Sequence, residues 1–336
     1  MKSLNRRSFA AMATATTIAP AVLKGTAAAQ STPVAQSDWA KETLQIMAPA
    51  SPGGGWDTTA RELQRSLQEA ELVSTVEVFN VPGAGGTIGL ADLASKYKGD
   101  SHTLMVMGLV MIGGIGLNEA PVGLDQSTPL ARLTGEWEVI VVPADSPHET
   151  MADLVAAFKE DPAGVSWAGG SAGGTDHLLV GLIAQALEID PAEINYVPFS
   201  GGGEALASLL GNETTAGVSG LGEFLPQIES GELRALAVSG RDEGGDDTIP
   251  TLKESDIDVE LSNWRGIVAP PEIEDADKDA ILETLDALHE SDVWKETLEK
   301  FAWSDQYLSG DEFVTFIEDE TERVNTILTD LGLLEG

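Results

Sequence analysis

The sequence predicts an α/β protein of two domains, each a mostly parallel sheet flanked by helices. Three observations carry this. Short apolar runs alternate with amphipathic stretches along most of the chain, the pattern of strand–helix–strand units. The 36 glycines gather where strand-like runs give way to helix-like ones. The chain of 336 residues, less a leader, is also longer than one typical domain.

Taken in order, residues 1–29 read as that leader. MKSLNRRSFA places Arg6 and Arg7 ahead of a weakly apolar Ala/Thr-rich run, and Ala27-Ala28-Ala29 follows. This is the order of a twin-arginine export signal, and the run is too short to span a membrane. No later segment is apolar over 18 residues, so the exported chain is expected to be soluble. LQIMAPA (44–50), TVEVFNV (75–81) and HTLMVMG (102–108) are strands, with helical spacing in DTTARELQRSLQEA and LADLASKY between them. EVIVVPA (138–144), VSWAGG (165–170), INYVPF (194–199), TTAGVSG and LRALAVSG continue the series, separated by the helices of ETMADLVAAFKED, DHLLVGLIAQALE, EALASLLG and GEFLPQIESG. Residues 239–258 are polar and turn-rich, LSNWRGIVAPPEI (261–273) returns to strand character, and two or three helices close the chain. Two sheets accommodate these strands more easily than one. The chain then crosses near 135–145 and returns near 258–265, giving domain 1 as 38–138 plus 263–336 and domain 2 as 139–262.

Charge and composition exclude several functions. The net charge is −36; a leader with four cations and no acid leaves 15 basic residues against 55 acids, or −40. Such a chain repels nucleic acid and anionic lipid. Acids dispersed over the whole length suit a halophilic protein working in strong salt, where charges are screened. With no cysteine there is no disulfide, thiolate metal site or thiol nucleophile.

Four glycine turns sit between a strand and a helix: PGGGWD (52–57), PGAGG (82–86), GGSAGGTD (169–176) and SGGG (200–203). A helix start leaves several N–H groups unpaired and carries partial positive charge, and glycine lets a guest come close to the backbone. Turns of this kind hold carboxylate or phosphate. At the strand ends of two parallel sheets they would face one cleft. Asp57, Thr175 and Asp176 also read as N-caps, and Ser171 and Thr175 as hydroxyl donors to a carboxylate.

Other classes fit less well. Gly169-Gly170-Ser171-Ala172-Gly173 formally matches the G-x-S-x-G of a secreted serine hydrolase, with His289 downstream. However, Gly174 and the cap-like Thr175-Asp176 delay the helix, and His289 lies in a polar stretch. No glycine turn has nucleotide-binding spacing, and the four histidines show no metal-ligand pairing, so no catalytic residue, cofactor or metal is assigned.

PGGGWDTTAR, NVPGAGGTIG, GGSAGGTDHL, YVPFSGGGEAL and GELRALAVSG, in this order, resemble the Bug/TctC-type solute receptors of tripartite tricarboxylate transporters over roughly 42–330. The resemblance implies a periplasmic-binding-protein-like, Venus-flytrap fold. It also implies a monomeric receptor in the periplasm or at the extracytoplasmic face that hands its guest to a large and a small membrane subunit. By position, a carboxylate such as citrate would be held by Gly54, Gly55, Trp56, Asp57 and Thr58, by Ala84 and Gly85, by Ser171, Gly173, Gly174 and Thr175, and by Ser200, Gly201 and Gly202. Two departures stand out. Ser219 stands where many relatives carry Asp, which favours a purely carboxylic guest over an amino acid. Arg265 stands where relatives are often apolar, and a guanidinium at the crossing would either match a second carboxylate or pair with one of the acids.

Overall fold

The computed structural model describes residues 38–334, apart from 200–201, 243–244 and 246. The leader, Ser200 and Gly201 therefore lie outside the described residues. The first lobe opens with three strands, β1 (Thr43–Ala48), β2 (Thr75–Asn80) and β3 (Thr103–Gly108), alternating with helices α1 (Gly55–Glu69) and α2 (Thr87–Lys96). Helix α3 (Leu109–Leu117) follows β3, and β4 (Thr128–Gly135) leads out of the lobe. The second lobe holds β5 (Glu138–Pro143), α4 (Met151–Glu160), β6 (Ser166–Gly169), α5 (Thr175–Ala186), β7 (Asn195–Pro198), α6 (Gly202–Leu210), β8 (Ala216–Gly220), α7 (Leu221–Ser230) and β9 (Leu233–Val238). The chain then returns to the first lobe through β10 (Arg265–Ala269), α8 (Asp275–Glu290), α9 (Asp292–Phe301), β11 (Ser304–Ser309) and α10 (Asp311–Asp330).

The two sheets run β11-β4-β10-β3-β1-β2 and β7-β6-β8-β5-β9. Strands β3 and β5 are buried along their whole length, as their apolar runs TLMVMG and EVIVVP require. The sheets are mixed rather than mostly parallel. The βαβ strands pair in parallel, β1 with β2 and β3, and β6 with β7 and β8. The crossing strands oppose them: β10 runs antiparallel to β3 and β4, and β5 antiparallel to β8 and β9. The reason is geometric. Only Glu136 and Trp137 separate β4 from β5, so the chain enters the second sheet at its cleft end and must run against strands that point toward the cleft.

The two crossing segments pair with each other. Glu136 and Asn263 exchange backbone hydrogen bonds of 3.2 and 2.9 Å, and Trp137 bridges Ser262. A third element joins the lobes. Helix α10 packs on β4 and α3, and its C-terminal end reaches α5, where Gln185 donates to Asp330 at 2.5 Å. One apolar core accordingly runs from Met105 and Ile112 through Leu328 to Leu178 and Trp167.

Candidate functional site

Helices α1 and α5, one in each lobe, begin alike. Each has a glycine N-cap, Gly54 or Gly174, in extended conformation, and neither first turn receives a side-chain cap. The preceding turns are shaped by left-handed glycines, Gly53 at φ 90° and Gly173 at φ 70°. The acids that read as caps serve the turns instead. Buried Asp57 accepts from the Gly53 N–H at 2.8 Å, from Arg61 at 2.9 Å and from Asn80 at 2.9 Å. Burial alone would raise its pKa, but these donors together hold it below the ordinary carboxyl value. Asp176 accepts from the Gly170 N–H at 2.5 Å and has no cation beside it. Burial, aided by the Glu223 and Glu136 charges and opposed by that N–H and by a hydrogen bond with the Glu138 carboxyl, raises it to about 7.

The third turn is braced from behind. His177 Nδ1 accepts the Gly173 N–H at 3.1 Å, and the ring stacks on Tyr196 with centroids 4.1 Å apart. Burial lowers His177 to about 4, so at neutral pH it is an uncharged acceptor. Tyr196 in turn donates to the Gly170 carbonyl at 2.8 Å. The Gly174 N–H closes back on the Ser171 carbonyl at 2.9 Å. Ser171 itself is exposed, and Thr175 Oγ1 is buried without a partner.

A closed chain of contacts links the turns. A Cβ on Gly86 would meet the Trp56 ring at 2.8 Å, and one on Gly85 would meet Gly114 of α3 at 3.1 Å. Gly113, one residue earlier, abuts the Gly173 carbonyl in the second lobe. The third turn meets the fourth where the Phe199 N–H donates to the Gly169 carbonyl at 2.9 Å. Gly202 abuts Glu223, which accepts from Ser219 at 2.9 Å. Glu223 shares a cavity of about 340 Å³ with Gly53, Gly55, Thr58, Glu136, Arg265 and Lys300. That returns to the first turn, because a Cβ on Gly55 would sit 2.9 Å from Arg265 Nη2. The turns are thus joined in one circuit of contacts, and the first of them lines this cavity. A larger groove of about 860 Å³ runs between α3 and α10, but its lining residues Ile112, Ile115 and Gly116 lie on the opposite side of α3 from Gly113 and Gly114. It belongs to none of the turns.

Two glycine-capped helix starts, one on each of two sheets joined by paired crossing segments, are the architecture of a two-lobed binding protein. The match extends to sequence: the profile of the tripartite tricarboxylate transporter family receptor fits residues 59–333. The chain belongs to that family. Protein BugT of Bordetella pertussis is 31% identical over 71% of this chain and 73% of its own length. A protein encoded in the gbd 5′ region of Cupriavidus necator is 26% identical over 90% of this chain and 91% of its own. Among solved structures, an R. palustris protein with adipate superposes with a TM-score of 0.74 at 22% identity, covering 88% of this chain and 99% of that one. A TctC solute-binding protein from Polaromonas gives 0.70 at 23%, covering 86% and 98%. These likenesses fix the fold as that of periplasmic solute receptors.

Arg265 takes the pairing role at the crossing. It is buried, donates Nη2 to Glu136 at 2.8 Å and lies over Trp303 at 5.3 Å, while Nη1 has no partner. Trp264 is core, donating to Glu320 at 3.0 Å and packing edge-on against Phe313 and Phe316. His289 is held by Asp305 at 2.9 Å and stacked on Tyr307, and α5 starts four residues after Ser171, so the hydrolase reading finds no support. Sequence reasoning missed a set of acids on the second lobe. Glu136, Glu138, Asp176 and Glu223 lie close enough that each of the other three raises the pKa of buried Glu138, after burial itself, against the opposing charge of Arg265.

Proposed function

We propose that the protein is an exported receptor that captures a small carboxylate in the cleft between its lobes and delivers it to the membrane subunits of a tripartite tricarboxylate transporter. The observation that carries this reading is the pair of uncapped helix starts, α1 and α5, on the two sheets, the first of them lining the 340 Å³ cavity. Their free N–H groups and partial charge offer a carboxylate a local well inside a strongly acidic protein. Relatives of the same fold carry bound malate and adipate.

In this assignment Gly54, Gly55, Trp56, Asp57 and Thr58 contribute backbone groups from the first turn, and Ala84 and Gly85 from the second. Ser171 and Thr175 face the guest from the third turn; Gly173 and Gly174, whose N–H groups are engaged internally, give it shape. Ser200, Gly201 and Gly202 are assigned to the guest by the family resemblance of the fourth turn. Domain 1 comprises 38–138 plus 263–336 and domain 2 comprises 139–262, with the hinge at the Glu136–Asn263 pairing. No helix among the described residues is long and apolar enough to cross a membrane. The twin-arginine leader places the monomeric receptor in the periplasm or at the extracytoplasmic face, in a salty medium.

A thermal-shift screen of organic acids in strong salt tests the proposal. An acid at 100 times its Kd adds about 2.7 kcal/mol to the stability of the folded state. Malate, adipate, citrate, succinate, glutarate and their amino analogues form the panel; a melting temperature unmoved by every one would refute carboxylate capture.

A further inference from the structure

Another cavity, of about 380 Å³, lies on the far side of the crossing, between the returning segment, strands β4 and β11 and helix α10. No residue lines both it and the 340 Å³ cavity. Trp264 lines this one and Arg265 the other, as consecutive residues entering a strand point to opposite faces.

The charges around it do not balance. Glu320 is ion-paired with Arg323 at 2.8 Å and accepts from Trp264 at 3.0 Å. Glu260 is paired with Lys253. Arg132 is left over. Its Nε donates to the Gln306 carbonyl at 2.7 Å, and its guanidinium lies 4.2 Å over the Phe316 ring. These contacts fix the plane of the fork but supply no counter-charge. Among the described residues Arg132 forms no ion pair, and its two Nη groups have no hydrogen-bond partner. Desolvation disfavours the cation, and the Glu320 charge, beyond ion-pair reach, opposes this. In a chain of 55 acids and 19 bases an unpaired arginine is not left so for want of acids. Further donors stand beside it. Gln306 Nε2 donates to Ser262 Oγ at 2.9 Å, which leaves the Ser262 hydroxyl proton and the second Gln306 N–H unused.

We propose that this cavity is a second binding site, for a small monovalent oxyanion held on the Arg132 fork with Ser262 and Gln306 beside it. One uncompensated cation calls for one negative charge, and the two Nη groups match a pair of oxygens in one plane. Arg132 belongs to β4 and Ser262 to the returning segment, so the anion ties the two crossing strands together. The site is independent of the guest in the cleft and stands whether or not the cleft takes a carboxylate.

Formate is the probe. The leader-free chain is melted in strong potassium fluoride, part of which is exchanged for potassium formate at constant potassium; fluoride holds its hydration shell and competes little. The melting temperature should rise and saturate, with a half-point at or above about 1 mM, the ceiling for a ligand of three heavy atoms. Arg132→Lys keeps the charge and the stem but loses the fork, and should raise the half-point about tenfold or more. Ser262→Ala leaves the arginine in place and should raise it about threefold, which keeps the test open if the Arg132 variant does not fold. No saturating rise in the parent would overturn the proposal. So would half-points unchanged in both variants, which place the anion elsewhere, or chloride matching formate, which removes the need for paired oxygens.

Discussion

Replacing Arg265 by Met tests how the hinge is held. The guanidinium and the Glu136 carboxylate are both buried, at 5% and 6% exposure, and joined at 2.8 Å. Removing the cation leaves Glu136 buried, unpaired and close to Glu138, whose ionisation Arg265 also favours. Breaking a buried pair from one side costs about 3–5 kcal/mol. In a chain of this size that lowers the melting temperature by roughly 6–10 °C, at about 2 °C per kcal/mol. The loss should persist from low to high KCl, because a buried pair is screened far less than a surface one. Glu136→Gln combined with Arg265→Met should recover most of it, since no charge is then stranded. Urea denaturation of the parent and the two variants at two salt concentrations, with their melting curves, measures all of this. A single variant within about 1 kcal/mol of the parent, or a double variant no better than the single, would show that the pair does not hold the crossing.

Three further outcomes follow from the turns. Asp57→Ala, which removes the acceptor of three donors, should lower stability by about 2–3 kcal/mol at neutral pH; because the Asp57 pKa is depressed, that contribution exists above the ordinary carboxyl pKa and fades as pH falls through the folded value, so parent and variant should converge in acid, as pH-dependent melting would reveal. Asp176 behaves oppositely. Its pKa is raised to about 7, the folded state binds more protons than the unfolded state above the ordinary value of 3.8, and the parent should therefore lose stability relative to Asp176→Asn as pH climbs from 3.8 to 7; parallel curves would refute the shift. Gly113→Ala puts a methyl group into the Gly173 carbonyl across the lobes. Overpacking of about 1–3 kcal/mol should weaken ligand binding roughly tenfold to a hundredfold, with the circular dichroism spectrum intact, as titration of any carboxylate that binds the parent would show.

What the sequence made legible, and what it hid, divides along physical lines. Strands such as β3 and β5 announce themselves because burial on both faces demands an unbroken apolar run. Strand β4 is masked by Pro129 and Arg132. Helix α3, LVMIGGIGL, packs on both lobes and shows no amphipathic period, and β11, SDQYLS, is a polar edge strand. The direction of the crossing strands is also invisible locally. It follows from where the chain enters the second sheet, a tertiary fact. The glycine turns were readable because close approach and positive φ leave a residue-type signature, whereas the acids of the second lobe were lost among the chain's 55. One signal was nevertheless available. In GEWEVIVV two glutamates flank a tryptophan at the mouth of a strand otherwise wholly apolar, and the nearest cation in sequence, Arg132, donates to the Gln306 carbonyl instead. Charge at the buried end of a core strand is expensive unless something pairs with it. Glu136 found Arg265, 129 residues away; Glu138 forms no ion pair among the described residues. Its cost is met by protonation: burial and the charges of Asp176, Glu136 and Glu223 hold Glu138 well above the ordinary carboxyl range, so the end of a core strand keeps a carboxyl without stranding a charge.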